Sequence, residues 1–279
     1  MTFDVLGPGA LDYLPCRYGT SRLLFRGPRR DLADPYIAFI GGTETYGKFI
    51  ATPFPALVEE QLGINCVNFG LPNAGIDAFT FDPFVPGAAE KSRITVVQVM
   101  GAQNMTNRFY TVHPRRNDRF VSAANLLKTI FKEVDFADFH YNRHLLRELH
   151  AVSPERFETV RAELQAAWCA RMRLLLKRIV GKSIVLWFSD HRPRSSDEIA
   201  DTHDLSADPL FITQEMMAEV SGLATHVVEV VASDAARAQG TKGMVFAEME
   251  SVAAGEMLSP AAHEEAAAAL VEVIKAMQR

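Results

Sequence analysis

The chain has little cysteine, no long apolar run and no excess of positive charge, and each absence removes a class of protein. Cys16, Cys66 and Cys169 are its three cysteines in 279 residues. They are widely spaced, so neither a disulfide framework nor a zinc site is implied, and Cys66 and Cys169 sit in apolar patterns typical of buried thiols. No segment approaches the roughly 20 apolar residues of a membrane-spanning helix. The start, Met1-Thr2-Phe3-Asp4-Val5-Leu6-Gly7-Pro8, lacks a basic flank and a continuous apolar stretch. A formal charge of −5 offers no concentrated basic face for neutralising phosphates, which argues against a nucleic-acid binder. No internal repeat or low-complexity tract is visible beyond the alanine stretch 266–269. Together these absences predict a cytoplasmic protein with no nucleic-acid partner, no membrane span, no resident metal and no cofactor; a homo-oligomer stays open.

What is present is a core-forming composition, 48% hydrophobic and 23% charged, enough for one large domain. Five short apolar, β-rich runs lie at 36–40, 64–69, 94–100, 183–188 and 226–231. Helical patterns separate them, at 55–62, 123–149, 154–179, 213–223 and 260–277. Ser153 followed by Pro154 and Glu155 reads as an N-cap with proline in the first turn. Strands alternating with helices indicate a parallel sheet covered on both faces, an α/β fold with three α/β/α layers. Residues 1–35 carry Tyr, Pro, Arg and Gly without a period and are expected to hug the surface as a lead-in.

Ligands of such sheets collect at the carboxyl ends of the strands. The first run leads into Gly41-Gly42-Thr43-Glu44-Thr45-Tyr46-Gly47, a glycine-rich turn presenting a hydroxyl, where α/β enzymes put a nucleophile. The second leads into Asn68-Phe69-Gly70-Leu71-Pro72-Asn73-Ala74-Gly75, the third into Gly101-Ala102-Gln103-Asn104, and the fourth into Asp190-His191-Arg192-Pro193. In the last of these, His191 can serve as a base oriented by Asp190, with Arg192 binding an anion. Arg108, Arg115, Arg116 and Arg119, with His113, would overhang the same rim; they either hold an anionic group or form a solvated basic loop. Asp197, Asp201, His203 and Asp204 suggest a solvated acidic loop. His140 and His144 share a helical spacing without a third metal ligand and are expected to be surface residues.

The first turn resembles the Gly-Asp-Ser-x-Thr-x-Gly block of the SGNH (GDSL-type) hydrolases, with Gly42 in place of Asp and Thr43 in place of the nucleophilic Ser. Gly70 or Gly75 looks like the family's second-block glycine, whose N–H serves the oxyanion hole, and Gly101-Ala102-Gln103-Asn104 is similar to its Gly-x-Asn-Asp block. Glu256-Met257-Leu258-Ser259-Pro260-Ala261-Ala262-His263 resembles the entry to its last helix. Aligned on Leu-Ser-Pro, Met257 takes the catalytic His position; aligned on His alone, His263 is the base. The resemblance implies one domain over 1–279 with a five-stranded, mainly parallel, flavodoxin-like sheet, and a helical insertion or rim at 105–150. It implies a divergent acyl or acetyl ester hydrolase or acyltransferase acting on a small molecule, carbohydrate or lipid. Thr43 would attack, His263 or His191 would be the base with Asp190 as partner, and Gly42, Gly70, Gly75, Gln103 and Asn104 would supply oxyanion or ligand contacts. Two other functions fit the residues. One is a catalytically silent ligand-binding, glycan-binding or assembly protein, in which Thr43 only bonds its own turn. The other is a transferase gripping an anionic donor, with His191 as base.

Overall fold

A computed structural model describes residues 10–200 and 205–278. The start Met1 to Pro8 and three members of the expected acidic loop, Asp201, His203 and Asp204, lie outside the described residues. Five strands form one sheet: β1 (Tyr36–Gly41), β2 (Asn65–Gly70), β3 (Ile94–Gln98), β6 (Lys182–Ser189) and β7 (His226–Val231), ordered β2-β1-β3-β6-β7. Every pairing among them is parallel. This is the doubly wound order in which the chain reverses direction across the sheet between β1 and β3, so a crevice opens at their carboxyl ends. The remaining strands, β4 (Tyr110–His113) and β5 (Arg116–Ala123), make a separate antiparallel hairpin.

The central strand shows why the sheet is sandwiched. β1 is buried along its whole length. Its alternating residues enter two different cores, Ile37 and Phe39 joining Phe54, Val58, Leu270 and Ile274 on one face. Tyr36, Ala38 and Ile40 join Phe69, Val97, Trp168 and Trp187 on the other. A period of two with both faces apolar is what a parallel strand between helical layers requires. The first layer contains helices Phe54–Leu62 and Pro260–Gln278, and the small side chains of Ala262, Ala266 and Ala267 are buried in that core. The second is dominated by helix Pro154–Arg178, whose Ser153 cap accepts from the Arg156 N–H as its sequence anticipates. Trp168 of that helix donates its indole N–H to Met100 O at 2.8 Å, tying the layer to the end of β3.

Residues 105–150 hold the β4–β5 hairpin followed by helices Asn125–Ile130 and Asn142–Val152. His113 Nδ1 accepts from the N–H groups of both Arg115 and Arg116, at 3.2 Å each, and closes the hairpin turn. The lead-in does more than hug the surface. Tyr18, Leu23 and Phe25 are buried in the core, and Arg26, itself buried, donates to four carbonyls, those of Tyr46, Gly47, Ile50 and Ala51. A buried guanidinium is tolerated only when its donors are satisfied.

Candidate active site

Gln98, the last residue of β3, sets the turn after β1. It is 5% exposed, and its Oε1 accepts from Gly42 N–H (3.1 Å), Thr45 N–H (3.1 Å) and the Thr45 hydroxyl (2.6 Å). Gly41 has no room for a side chain, since a Cβ there would collide with Thr45 Oγ1 and Gln98 Oε1. Arg26 grips the far end of the same turn, so the single helical turn Thr43–Tyr46 is held from both sides with Thr43 at its open end.

Asn73, in left-handed backbone geometry at φ 55°, meets that open end. Its N–H donates to Thr43 Oγ1 at 2.9 Å, and the Thr43 hydroxyl points back at Asn73 Oδ1 at 3.3 Å. Asn104 supports the arrangement, its Nδ2 donating to Asn73 O at 2.9 Å and its Oδ1 accepting from Asn142 Nδ2 at 3.0 Å. Asn104 thus binds a loop backbone rather than standing free. The N–H of Gly70 donates to Asn68 Oδ1 (2.8 Å) and that of Gly75 to Asn117 Oδ1 (3.1 Å). Both glycines sit where a Cβ would strike backbone, of Tyr46 and Asn104 respectively, so close approach explains them without an oxyanion role. Neither lines the cleft.

At the end of β6, Asp190 and His191 form a pair, Nδ1 to Oδ1 at 2.7 Å. Ser189 Oγ lies 2.9 Å from the same Nδ1 and donates its single hydrogen to Asp208 O at 2.7 Å. With two acceptors facing it, Nδ1 carries the proton, which leaves Nε2 as the basic nitrogen. Nε2 has no hydrogen-bond partner among the described residues. The His191 hydrogen bond holds the Asp190 pKa below the usual carboxylate range. Asp208 lines the cleft with its side chain 61% exposed, and Arg143 donates to its Oδ2 at 2.6 Å. Gln103 Nε2 also reaches Asp208, at 3.3 Å.

A cleft of about 930 Å³ joins these strand ends. Thr43, Gly42, Gln103, Asn104, Asp190 and His191 line it together. His263 does not. It is fully buried beneath the cleft, stacked on Phe54 and edge-on to Phe188, and its Nδ1 accepts from the Phe54 N–H at 3.2 Å. Of the C-terminal block, Glu256, Met257, Leu258 and Ser259 line the cleft. The basic residues fall elsewhere: Arg108 pairs with Glu163 (Nε to Oε2, 2.6 Å), Arg119 lies 4.0 Å over the Tyr141 ring, and Arg115 and Arg116 sit exposed at the hairpin turn. Arg192 is 83% exposed and leans to Glu229 at 3.7 Å. None of these five is in the cleft lining, whereas Arg143, Arg147, Arg194 and Arg237 are. His144, expected as a plain surface residue, is exposed but faces the cleft, while His140 is exposed outside it.

A profile of one protein family matches residues 1–278, and its description is "Domain of unknown function (DUF6473)". The chain belongs to that family. No curated protein matches the chain. Among solved structures it is similar to a carbohydrate acetylesterase family member from Sinorhizobium meliloti, with 10% identity, 88% of this chain and 99% of that one covered, and a TM-score of 0.37. It is also similar to a lipase from a goat rumen metagenome, with 13% identity, 85% and 97% covered, and a TM-score of 0.39. Neither likeness assigns an activity to this chain. No helix among the described residues is long and apolar enough to cross a membrane. No group of three or more His, Cys, Asp or Glu among them could hold a metal ion.

Several residues of the cleft carried a weaker signal in the sequence. Gln98 interrupts the run 94–100 with a single amide, and an amide inside a buried strand needs partners. Asn73 follows Pro72 in a loop where a left-handed residue is common. Glu44 and Asp208 have no local pattern that separates them from surface carboxylates.

Proposed function

We propose that the protein is an ester hydrolase or acyltransferase whose general base is His191, oriented by Asp190, and whose substrate is a small carbohydrate or lipid ester seated in the cleft. The observation that carries this is the Nδ1–Oδ1 contact of 2.7 Å in a cleft-lining pair, which leaves Nε2 basic. His191 Nε2 takes a proton from water as the water oxygen bonds to the ester carbonyl carbon. When the carbon–alkoxy bond breaks, the same proton passes to the departing oxygen. An acceptor hydroxyl in place of water gives acyl transfer by the same steps.

Thr43 serves in this scheme as a hydrogen-bond donor. The only hydrogen-bond partner of its hydroxyl among the described residues is Asn73. The hydroxyl's own donation at 3.3 Å is longer than the roughly 2.5–3.0 Å of a good O–H···O bond, so turning it toward a developing oxyanion sacrifices little. Among the described residues no imidazole bonds Thr43, and its β-methyl crowds an attack trajectory. Intact-mass measurement of enzyme quenched during turnover of p-nitrophenyl acetate should show no acetyl adduct; an adduct on Thr43 would make it the nucleophile instead.

A second reading, a catalytically silent binding protein, is favoured by one observation: the Thr43 hydroxyl is engaged in both directions with Asn73. Absence of any ester turnover by the wild type would select it.

A further inference from the structure

Glu44 and His263 form a contact that the base assignment does not use. His263 is 0% exposed, and because its Nδ1 accepts from the Phe54 N–H, the neutral ring must carry its hydrogen on Nε2. That nitrogen makes no hydrogen bond of good geometry, yet it lies 3.4 Å from Glu44 Oε2. At that distance the ring and the carboxylate are in close electrostatic contact without a well-formed hydrogen bond, so His263 backs the Glu44 side chain and leaves its acceptor capacity unused. The Glu44 side chain is 17% exposed, lines the cleft beside Thr43, and takes no hydrogen bond from any described residue. An acceptor that is oriented from behind and open in front suits a donor on a bound ligand.

We propose that Glu44, positioned by His263, anchors a hydroxyl of the substrate at the β1 end of the cleft. The proposal rests on the reading of the cleft as an ester-processing site, and it narrows that substrate to a hydroxylated ester such as a partly acylated polyol. Glu44 takes no proton in this role; it accepts a hydrogen bond from the ligand, and the proton of the reaction stays on the His191 path. His263 touches no ligand and acts only through Glu44.

The test is the ratio of kcat/KM for glycerol monoacetate to kcat/KM for p-nitrophenyl acetate, which bears no hydroxyl, in wild type, Glu44→Gln and His263→Gln. Loss of a charged hydrogen bond predicts that Glu44→Gln lowers the ratio on the order of tenfold, mainly through KM for the glycerol ester, with His263→Gln lowering it in the same direction. An unchanged ratio in Glu44→Gln overturns the proposal while leaving the His191 assignment standing. A lowered ratio with His191→Gln fully active supports Glu44 and removes His191. If the wild type turns over neither ester, equilibrium binding of glycerol monoacetate decides. Weaker binding by Glu44→Gln supports the anchor, and equal or absent binding overturns it. The His263 imidazole 15N shifts separate positioning from folding. They should show the Nε2–H tautomer and move in Glu44→Gln, and shifts identical to wild type would overturn the pairing.

Discussion

Replacing Gln98 with Leu tests whether one buried amide builds the turn that carries Thr43. Leucine fills a similar volume and removes the only acceptor that Gly42 N–H, Thr45 N–H and the Thr45 hydroxyl share, at 3.1, 3.1 and 2.6 Å. The hydroxyl can rotate to another partner, but the two backbone N–H groups cannot. Each orphaned buried donor costs about 1–3 kcal/mol, so the substitution should destabilise the fold by about 3 kcal/mol after a small apolar gain. That is a large fraction of a typical domain's stability, and at about 2–4 °C per kcal/mol for a chain of this size it lowers Tm by roughly 6–12 °C. Thr45→Val, which removes the hydroxyl bond alone, should cost about 1 kcal/mol and be less than additive with Gln98→Leu, because both act on one acceptor. The assay is thermal unfolding followed by far-ultraviolet circular dichroism. A Gln98→Leu Tm within about 2 °C of wild type would refute the argument, given the per-kcal scale above.

Two further outcomes follow from the geometry. Asp190 has a depressed pKa because His191 donates to it, so the pair contributes stability at pH above the unfolded carboxylate's value of about 4 and loses it as pH falls through the lower folded value. The Tm of wild type should therefore exceed that of Asp190→Asn near neutrality by a small margin, since the carboxylate is 61% exposed and screened, and the two curves should converge in acid; a gap that widens toward low pH would contradict the pairing. Burial pushes the Cys66 and Cys169 thiols well above their ordinary pKa, Cys169 to about 12, and the half-buried Cys16 thiol is raised as well. Labelling with a thiol-reactive disulfide reagent at pH 8 should modify only Cys16, slowly, in the native protein and all three cysteines after denaturation; rapid native labelling of Cys66 would be the contrary result.

The layers of this fold were legible because burial imposes a period. Each of the runs 36–40, 64–69, 94–100, 183–188 and 226–231 contains or overlaps a strand of the parallel sheet. The hairpin was not, because Arg115, Arg116 and Arg119 break the alternation of β4 and β5 and read as a solvated rim, when Tyr110, Val112, Asn117, Phe120 and Ala123 are the buried positions. The strand ends pointed to the cleft but not to which groups face each other in it. Gly70 and Gly75 are glycines for close packing, a demand that looks the same in sequence as an oxyanion loop. His263 shares the buried face of its helix with Ala267, Leu270 and Ile274. That spacing was present in the sequence, but alanine conceals a core face because it is equally at home in water. The Asn73–Thr43 and His263–Glu44 contacts join residues 30 and 219 positions apart, counted from their numbers, and no local pattern reports such pairs.

The central claim is that His191 is the base of the cleft, and kcat/KM for a short-chain aryl ester in His191→Gln against wild type tests it most directly. Loss of a general base predicts a fall of roughly 10²–10⁴-fold with the fold intact, while Thr43→Ala, losing only a donor, retains turnover. Wild-type turnover in His191→Gln, or complete loss in Thr43→Ala alone, would contradict the account.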